Sequence, residues 1–121
     1  MAFLSLTATG LLASLHVYIM ALEMFFWTKP RGRKTFRLTA EFAEQTKVMA
    51  ANQGLYNGVL AAGLFWGMGH PVAEFARQIR LFFCLAVVGA GMYGGATSSR
   101  KIWVVQMTPG LVALGLVFWD I

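Results

Sequence analysis

The chain has 121 residues, of which 58% are hydrophobic and only 12% are charged. A soluble domain carries about 25% charged residues, and one of this size has too little interior to hide so much apolar surface. Composition therefore excludes an ordinary soluble domain and favours an integral membrane protein. The net charge of +5 comes from basic residues clustered between apolar segments. That pattern favours anionic lipid headgroups over nucleic acid as the partner.

Four apolar segments are long enough, or nearly so, to cross a bilayer as a helix, which takes about 20 residues. Polar connections rich in turn-forming residues separate them. The sequence therefore predicts an all-α bundle of four transmembrane helices, with residues 1–121 forming a single integral membrane domain. The predicted spans are 3–27, 48–69, 79–97 and 102–119.

The basic residues predict the orientation of these spans. The first connection, 28–47, holds six Lys and Arg residues, and the turn at 98–101 holds two more. The connection on the opposite side holds only Arg77 and Arg80. Because cytoplasmic loops are enriched in Lys and Arg, we expect 28–47 and 98–101 in the cytoplasm and both termini on the other side.

Residues 35–47 combine apolar and charged side chains, and two interpretations are open. The segment is either an interfacial helix that leads into the second span, or a solvated extension of that span. Thr39 stands at a possible helix start, but Phe42 follows it by three residues where a capping box would have Glu or Gln.

The first span contains two ionisable residues, His16 and Glu23, which hydrocarbon disfavours. Seven residues make about two helical turns, so both lie on one face, about 10 Å apart along the axis. An ionisable residue inside a span is a functional-site hypothesis by default. If the chain is an enzyme, Glu23 or His16 is the candidate catalytic acid or base.

The second span combines a polar arc with a stripe of small residues. The arc contains amides and a phenol, Asn52, Gln53, Tyr56 and Asn57. The stripe has four-residue spacing, which lets helix backbones approach closely, and consists of Ala50, Gly54, Gly58 and Ala62.

Counting inward from the predicted cytoplasmic ends places polar residues of all four spans in one layer. Glu23 is expected level with Asn52 and Gln53. Two interpretations compete: the side chains bond to one another in a network that fixes helix packing, or they line a ligand pocket. The candidate ligand-binding residues are Asn52, Gln53, Tyr56, Asn57, Tyr93 and Gln106.

Several familiar site types are missing from the sequence. It has no nucleotide-binding loop, zinc-spaced motif or nucleophile elbow, and two ligands fall short of a metal site. We predict no metal site, and the cofactor is left open. Cys84 is a lone thiol inside an apolar run, expected as a buried hydrophobe. Pro109 frees the carbonyl of Val105, which either kinks the fourth span or adds an acceptor beside Gln106.

The sequence resembles a widespread bacterial family of small four-span membrane proteins classed as a domain of unknown function. The shared features are His16 with Tyr18, Leu22-Glu23-Met24 with Trp27, Thr46-Lys47, the AANQGLYN block at 50–57, and Gln106 with Pro109. This resemblance covers nearly the whole chain. It implies a multi-pass protein of the bacterial inner membrane and no particular activity.

A weaker similarity is to the membrane-associated eicosanoid and glutathione metabolism family, whose four-span members also have a basic first cytoplasmic connection. Those proteins form trimers that bind glutathione between subunits, which implies a homo-oligomer, either a dimer or a trimer. The second span departs from their pattern, since it lacks their Glu and the preceding Arg and has Tyr56 and Met49 nearby. Glutathione is therefore not the expected ligand.

Three classes of function remain. The favoured one is a polar intramembrane site in the cytoplasmic half that binds a small lipophilic or amphiphilic molecule. The first alternative is a small-solute or proton-coupled transporter, although the outer halves of spans one, three and four are nearly all apolar. The second is an accessory or structural membrane subunit with a buried polar packing network.

Overall fold

The computed structural model describes residues 2–121, and this part of the chain is helical with no strand. The elements in chain order are α1 (Phe3–Met24), α2 (Pro30–Phe36), α3 (Ala40–Gly69), α4 (Ala73–Thr97), a π-helical segment (Trp103–Met107) and α5 (Thr108–Trp119). The predicted all-α class is confirmed. By length and composition, α1 and α4 could cross a membrane, and Trp103–Trp119 is a shorter apolar helix.

The chain divides into two compact units, which are described separately. The first unit is Ser14–Val59, containing most of α1, all of α2 and the first two-thirds of α3. The second unit consists of Leu60–Ile121 together with the chain up to Ala13.

In the first unit, proline and a left-handed residue define the connection between α1 and α3. Lys29 is extended (φ −87°, ψ 162°) because the residue before a proline avoids the α region. Pro30 then begins α2, where its missing N–H removes no helical hydrogen bond. Arg37 adopts the left-handed conformation (φ 56°, ψ 49°) and ends α2. The connection is therefore a structured turn–helix–turn.

Helix α3 begins at a side-chain cap and then runs without a break. The Phe42 N–H donates to the Thr39 hydroxyl at 3.1 Å, which satisfies one of the free donors of the first turn. The helix continues to Gly69, so residues 40–47 and the segment predicted as the second span form one continuous helix. Thirty residues make a helix of about 45 Å, some 15 Å longer than a hydrocarbon core is thick.

Glycines bring α1 and α3 close together in the first unit. A Cβ at Gly54 would lie 2.6 Å from Met24 Cγ and 3.1 Å from the Met20 carbonyl oxygen. A Cβ at Gly58 would lie 2.6 Å from Met20 Sδ. The predicted small-residue contact is therefore confirmed at both glycines.

The fourth member of the predicted stripe is wrong, because Ala62 is exposed. Between Ala50 and Leu64, the buried positions 50, 54, 57, 61 and 64 are three or four residues apart, so a strict four-residue row drifts off the contact face. The buried positions are Ala43, Ala50, Gly54, Asn57, Ala61, Gly63, Leu64 and Gly67.

In the second unit, α4 packs against the π-helical segment and α5. A Cβ at Gly91 would lie 2.8 Å from the backbone nitrogen of Met107, and one at Gly95 would collide with the Trp103 indole. Both glycines therefore allow α4 to lie close to the segment before Pro109. Cys84 is fully buried, as expected. It belongs to the core cluster Leu12, Ala13, Leu64, Cys84, Val87, Ala113 and Val117.

The π-helical segment lies directly before Pro109. The Thr108 N–H bonds to the Trp103 carbonyl five residues back, and the Thr108 hydroxyl donates to the same oxygen at 2.8 Å. Proline cannot donate a hydrogen bond and its ring crowds the carbonyl four residues earlier. The wider π turn accommodates Pro109 inside an otherwise continuous helical stretch.

The burial pattern is inverted in part, since many large apolar side chains are exposed and several polar side chains are buried. Among residues 2–121, six of the thirteen buried hydrophobic residues are alanine, while Phe3 is 78% exposed and Met49 is 75% exposed. In the same part of the chain six polar or charged residues are buried: Ser5, Thr9, His16, Glu23, Asn57 and Arg80. Small side chains therefore make up much of the buried set, and large apolar side chains much of the surface.

Candidate functional site

A buried hydrogen bond joins α1 to α3 in the first unit. The Asn57 side-chain amide donates to Glu23 Oε1 at 2.5 Å, and each residue is 8% exposed. Gly54 lies one turn before Asn57, and a Cβ there would be 3.0 Å from Glu23 Cβ. The missing side chain at Gly54 brings the helices close enough for the short asparagine to reach the carboxyl group.

This bond corrects the register expected from the sequence. Glu23 faces Asn57, not Asn52 and Gln53, so the expected level was wrong by about one helical turn. The error arose at the ends of the helices, because α1 stops at Met24 and α3 already begins at Ala40. Counting inward from the basic residues therefore misjudged how the two helices align.

His16 is fully buried in the first unit. It lies two turns before Glu23 on α1, about 10 Å away along the axis. General acid–base catalysis requires hydrogen-bond reach between the side chain and the substrate. Both candidate acid–base residues are buried, and their role in catalysis stays a prediction.

The remaining candidates on α3 face outward. Asn52 and Gln53 are exposed, and Tyr56 is 73% exposed. The Asn52 amide donates to the Val48 carbonyl at 2.9 Å, one turn back in its own helix. The predicted polar arc is therefore divided between one buried member, Asn57, and three exposed ones.

Two candidates belong to the second unit. Tyr93 on α4 is 73% exposed, and its carbonyl accepts the Thr97 hydroxyl at 2.7 Å. Gln106 is half-buried in the π-helical segment.

A groove of about 440 Å³ lies in the first unit beside the end of α1. Apolar side chains, including Met24, Val48 and Leu55, make most of its wall, while Thr28, Lys47 and Asn52 are polar. The full lining is Met24, Phe25, Trp27, Thr28, Lys47, Val48, Ala51, Asn52 and Leu55. Of the candidate residues predicted from the sequence, only Asn52 lines this groove.

Trp27 fixes one side of the groove. Its indole N–H donates to the Thr46 hydroxyl on α3 at 3.0 Å, and its ring centroid lies 4.9 Å from that of Phe36 on α2. On the other side, Lys47 forms an ion pair with Glu44. The turn after α1 is therefore tied to both neighbouring helices, and the groove is a formed feature of the first unit.

Arg80 is a buried cation that the sequence reasoning missed. It is 1% exposed on α4, where Nη1 donates to the Ser5 hydroxyl at 3.2 Å and Nε to the Ala76 carbonyl at 3.3 Å. A Cβ at Gly67 would lie 3.0 Å from the backbone nitrogen of Arg80, so α3 and α4 lie close together here. Its position inside the predicted span 79–97 could have indicated burial, because an arginine within a span usually faces the interior of the helix bundle.

Residues 10–118 match the model of a family described as a protein of unknown function, DUF1304. The chain belongs to the DUF1304 family. The match includes the Glu23–Asn57 pair and every residue that lines the groove.

This DUF1304 chain is 29% identical over 119 residues to the uncharacterized protein YpaA of Lactococcus lactis subsp. lactis (strain IL1403), with 97% of each chain covered. No solved structure matches it. The expected membership of an uncharacterised bacterial family is confirmed.

Proposed function

We propose that the chain is a four-span protein of the bacterial inner membrane that binds a small amphiphile in the groove beside the end of α1. The four spans are α1, the later part of α3, α4, and the π-helical segment with α5. The connection that contains α2 faces the cytoplasm, and both termini face away from it. The groove, with its apolar wall and polar rim, is the observation that carries the proposed ligand.

The distribution of side chains supports the membrane location. Helices α1 and α4 meet the length and hydropathy expected of spans, and Trp103–Trp119 is a further apolar helix of 17 residues. The polar side chains of α3 lower its hydropathy, but one of them, Asn57, bonds to Glu23 and so is satisfied away from lipid. The large apolar residues on the outside supply the lipid-facing surface.

The chemistry of the groove favours an amphiphile with a polar head, because Lys47 in its lining is already paired with Glu44. Lys47 lies about 15 Å from Asn57 along α3, on the side of the basic connection, so it is at the end of the groove where a headgroup would lie. Tryptophan and lysine are both favoured where hydrocarbon meets headgroups, and Trp27 and Lys47 both line this groove. The apolar wall formed by Met24 and Leu55 would then accommodate an alkyl chain.

The membrane topology is tested with cysteines added to the intact chain in bacterial cells. Thr35→Cys and Glu74→Cys are labelled with a membrane-impermeant maleimide. We expect Glu74→Cys to react in intact cells and Thr35→Cys to react only after permeabilisation. The native chain is the control, because its lone Cys84 is fully buried. Equal labelling at both positions in intact cells would overturn the four-span topology.

The groove is tested by native mass spectrometry of the purified chain with oleate as the probe. Ala51 lines the groove, so Ala51→Trp should fill it and reduce oleate binding about tenfold or more. Ala62→Trp is the matched control, since Ala62 is exposed on the same helix outside the groove. Equal oleate binding by both variants would refute the proposed site. The same spectra test the proposed dimer or trimer.

The Glu23–Asn57 bond favours a second candidate, a non-catalytic membrane subunit stabilised by a buried polar network. The carboxyl group is already bonded to an amide in a tight helix contact. Glutamine at position 23 keeps an acceptor for Asn57, so a packing role predicts that Glu23→Gln leaves fold and oleate binding intact. Loss of oleate binding in a folded Glu23→Gln variant would instead place Glu23 in the binding site.

A further inference from the structure

The connection between α1 and α3 carries a dense group of cations, here called the α2 platform (residues 29–37). Its five basic residues are Lys29, Arg31, Arg33, Lys34 and Arg37. None of them forms an ion pair within residues 2–121, where the observed pair is Lys47 with Glu44. Five like charges within nine positions repel one another, so the platform favours a bound anion.

The platform is held in place by contacts within the first unit. Gly32 is buried, and a Cβ there would collide with the Phe26 carbonyl group. Phe36 packs against Trp27, and Arg31 Nη1 donates to the Tyr18 hydroxyl at 3.0 Å. The cations are therefore presented by a fixed surface instead of a flexible loop.

Arg33 gives this surface a specific donor. Its Nε atom is buried and has no hydrogen-bond partner, which is unusual because buried donors are nearly always satisfied. The residue as a whole is half-buried. Because Nε is closed off from molecules outside the protein, a phosphate would accept from the two Nη atoms, which can donate to two of its oxygens. Lys29 lies one helical turn earlier, so its charge adds to the same side.

We propose that the α2 platform binds the phosphate of an anionic membrane lipid, with the Nη atoms of Arg33 as direct donors. The connection follows α1 immediately, where the cytoplasmic leaflet would place its negatively charged headgroups. This site is separate from the groove, whose lining includes no residue of the platform. The inference rests on the membrane location under the proposed function, but not on the amphiphile.

The test uses the full chain in dodecyl maltoside micelles that contain equal mole fractions of dioleoyl phosphatidylglycerol or dioleoyl phosphatidylcholine. Native mass spectrometry measures the apparent Kd for each lipid. We expect the native chain to prefer the anionic lipid at least tenfold. Arg33→Gln should weaken phosphatidylglycerol binding about tenfold, as expected for a lost charge-assisted hydrogen bond. Arg33→Lys should weaken it at least about threefold, because lysine keeps the charge but lacks the fixed pair of Nη donors.

Arg100→Gln is the matched control, since Arg100 is an exposed residue outside the platform and its loss changes the net charge equally. It should change the affinity by no more than about twofold, and Ala51→Trp should leave it unchanged. Equal effects of Arg33→Gln and Arg100→Gln, or equal binding of the two lipids by the native chain, would overturn the site. Displacement by inorganic phosphate, but not by chloride at the same ionic strength, would overturn the lipid as the occupant. Failure of the cysteine labelling pattern would count against the membrane topology separately.

Discussion

Replacing Gly54 with alanine should weaken the packing of α1 against α3. The added Cβ would lie 2.6 Å from Met24 Cγ, about 1 Å inside the usual separation of carbon atoms. It would also lie 3.1 Å from the Met20 carbonyl oxygen, which can move only if the helix moves. Overpacking of this kind costs about 1–3 kcal/mol, and the higher helix propensity of alanine offsets about 1 kcal/mol of it.

The matched control for Gly54→Ala is Gly89→Ala. A Cβ at Gly89 meets no atom within 4 Å, although this residue also lies inside a long helix. The propensity gain is common to both variants, so their difference isolates the close contact. We expect Gly54→Ala to have a free energy of unfolding about 1–3 kcal/mol below that of Gly89→Ala. Unfolding in mixed dodecyl maltoside and SDS micelles, followed by circular dichroism, measures this difference.

Gly58→Ala should have an intermediate stability. Its Cβ would lie 2.6 Å from Met20 Sδ, near the end of a flexible side chain that can rotate away. Its stability should therefore fall between those of the other two variants. Equal stability of Gly54→Ala and Gly89→Ala would show that the helices are not in close contact at Gly54, and it would refute the packing argument.

Three further predictions use the same unfolding assay. Asn57→Ala leaves the Glu23 carboxyl group without its amide partner and should lower the free energy of unfolding by about 1–3 kcal/mol. Asn52→Ala, at an exposed position, should lower it by less than about 0.5 kcal/mol, and equal losses would contradict the buried bond. Trp27→Phe and Thr46→Val each remove the same hydrogen bond, so each should lower the free energy of unfolding by about 0.5–1.5 kcal/mol. The double variant should lose less than the sum of the two, and full additivity would argue against the bond. Gly91→Ala places a Cβ 2.8 Å from the backbone nitrogen of Met107 and should be about 1–3 kcal/mol less stable than Gly89→Ala, and no difference would show that α4 and the π-helical segment do not touch there.

The helical class was predictable because apolar runs of about 20 residues with few charges have few other solutions. The close contacts at Gly54 and Gly58 were also predictable, since four-residue spacing of small residues is a local pattern. The end of the stripe was not, because a helical face follows 3.6 residues per turn and drifts away from Ala62.

The register between helices needed information that the sequence does not carry. The pairing of Glu23 with Asn57 depends on where α1 stops and how the turn–helix–turn connection returns the chain. The groove depends on the same connection, because Trp27 and Thr28 reach it only after α1 has ended. Pro109 indicated a distortion, but proline alone does not decide between a kink and the five-residue π turn.

Arg80 was misread for a different reason. It stands one residue inside the predicted third span, where counting it as a flanking charge satisfied the topology rule. Only the structure shows that its side chain turns inward to the Ser5 hydroxyl. A single arginine near the end of an apolar run fits either placement, so local sequence does not separate them.

The inverted burial has a consequence for how the family diverges. Large side chains such as Phe3 and Met49 are mostly exposed, so exchanges among apolar residues there should leave the fold intact. The alanines and glycines at helix contacts leave little room for a larger residue. Asn57 donates a hydrogen bond to Glu23, which an apolar side chain at that position could not do. Identity between distant members should therefore be concentrated in residues that appear unremarkable in a hydropathy plot. In this family, an Ala-to-Leu exchange at a helix contact should disrupt the fold, whereas a Phe-to-Leu exchange at an exposed position should be tolerated.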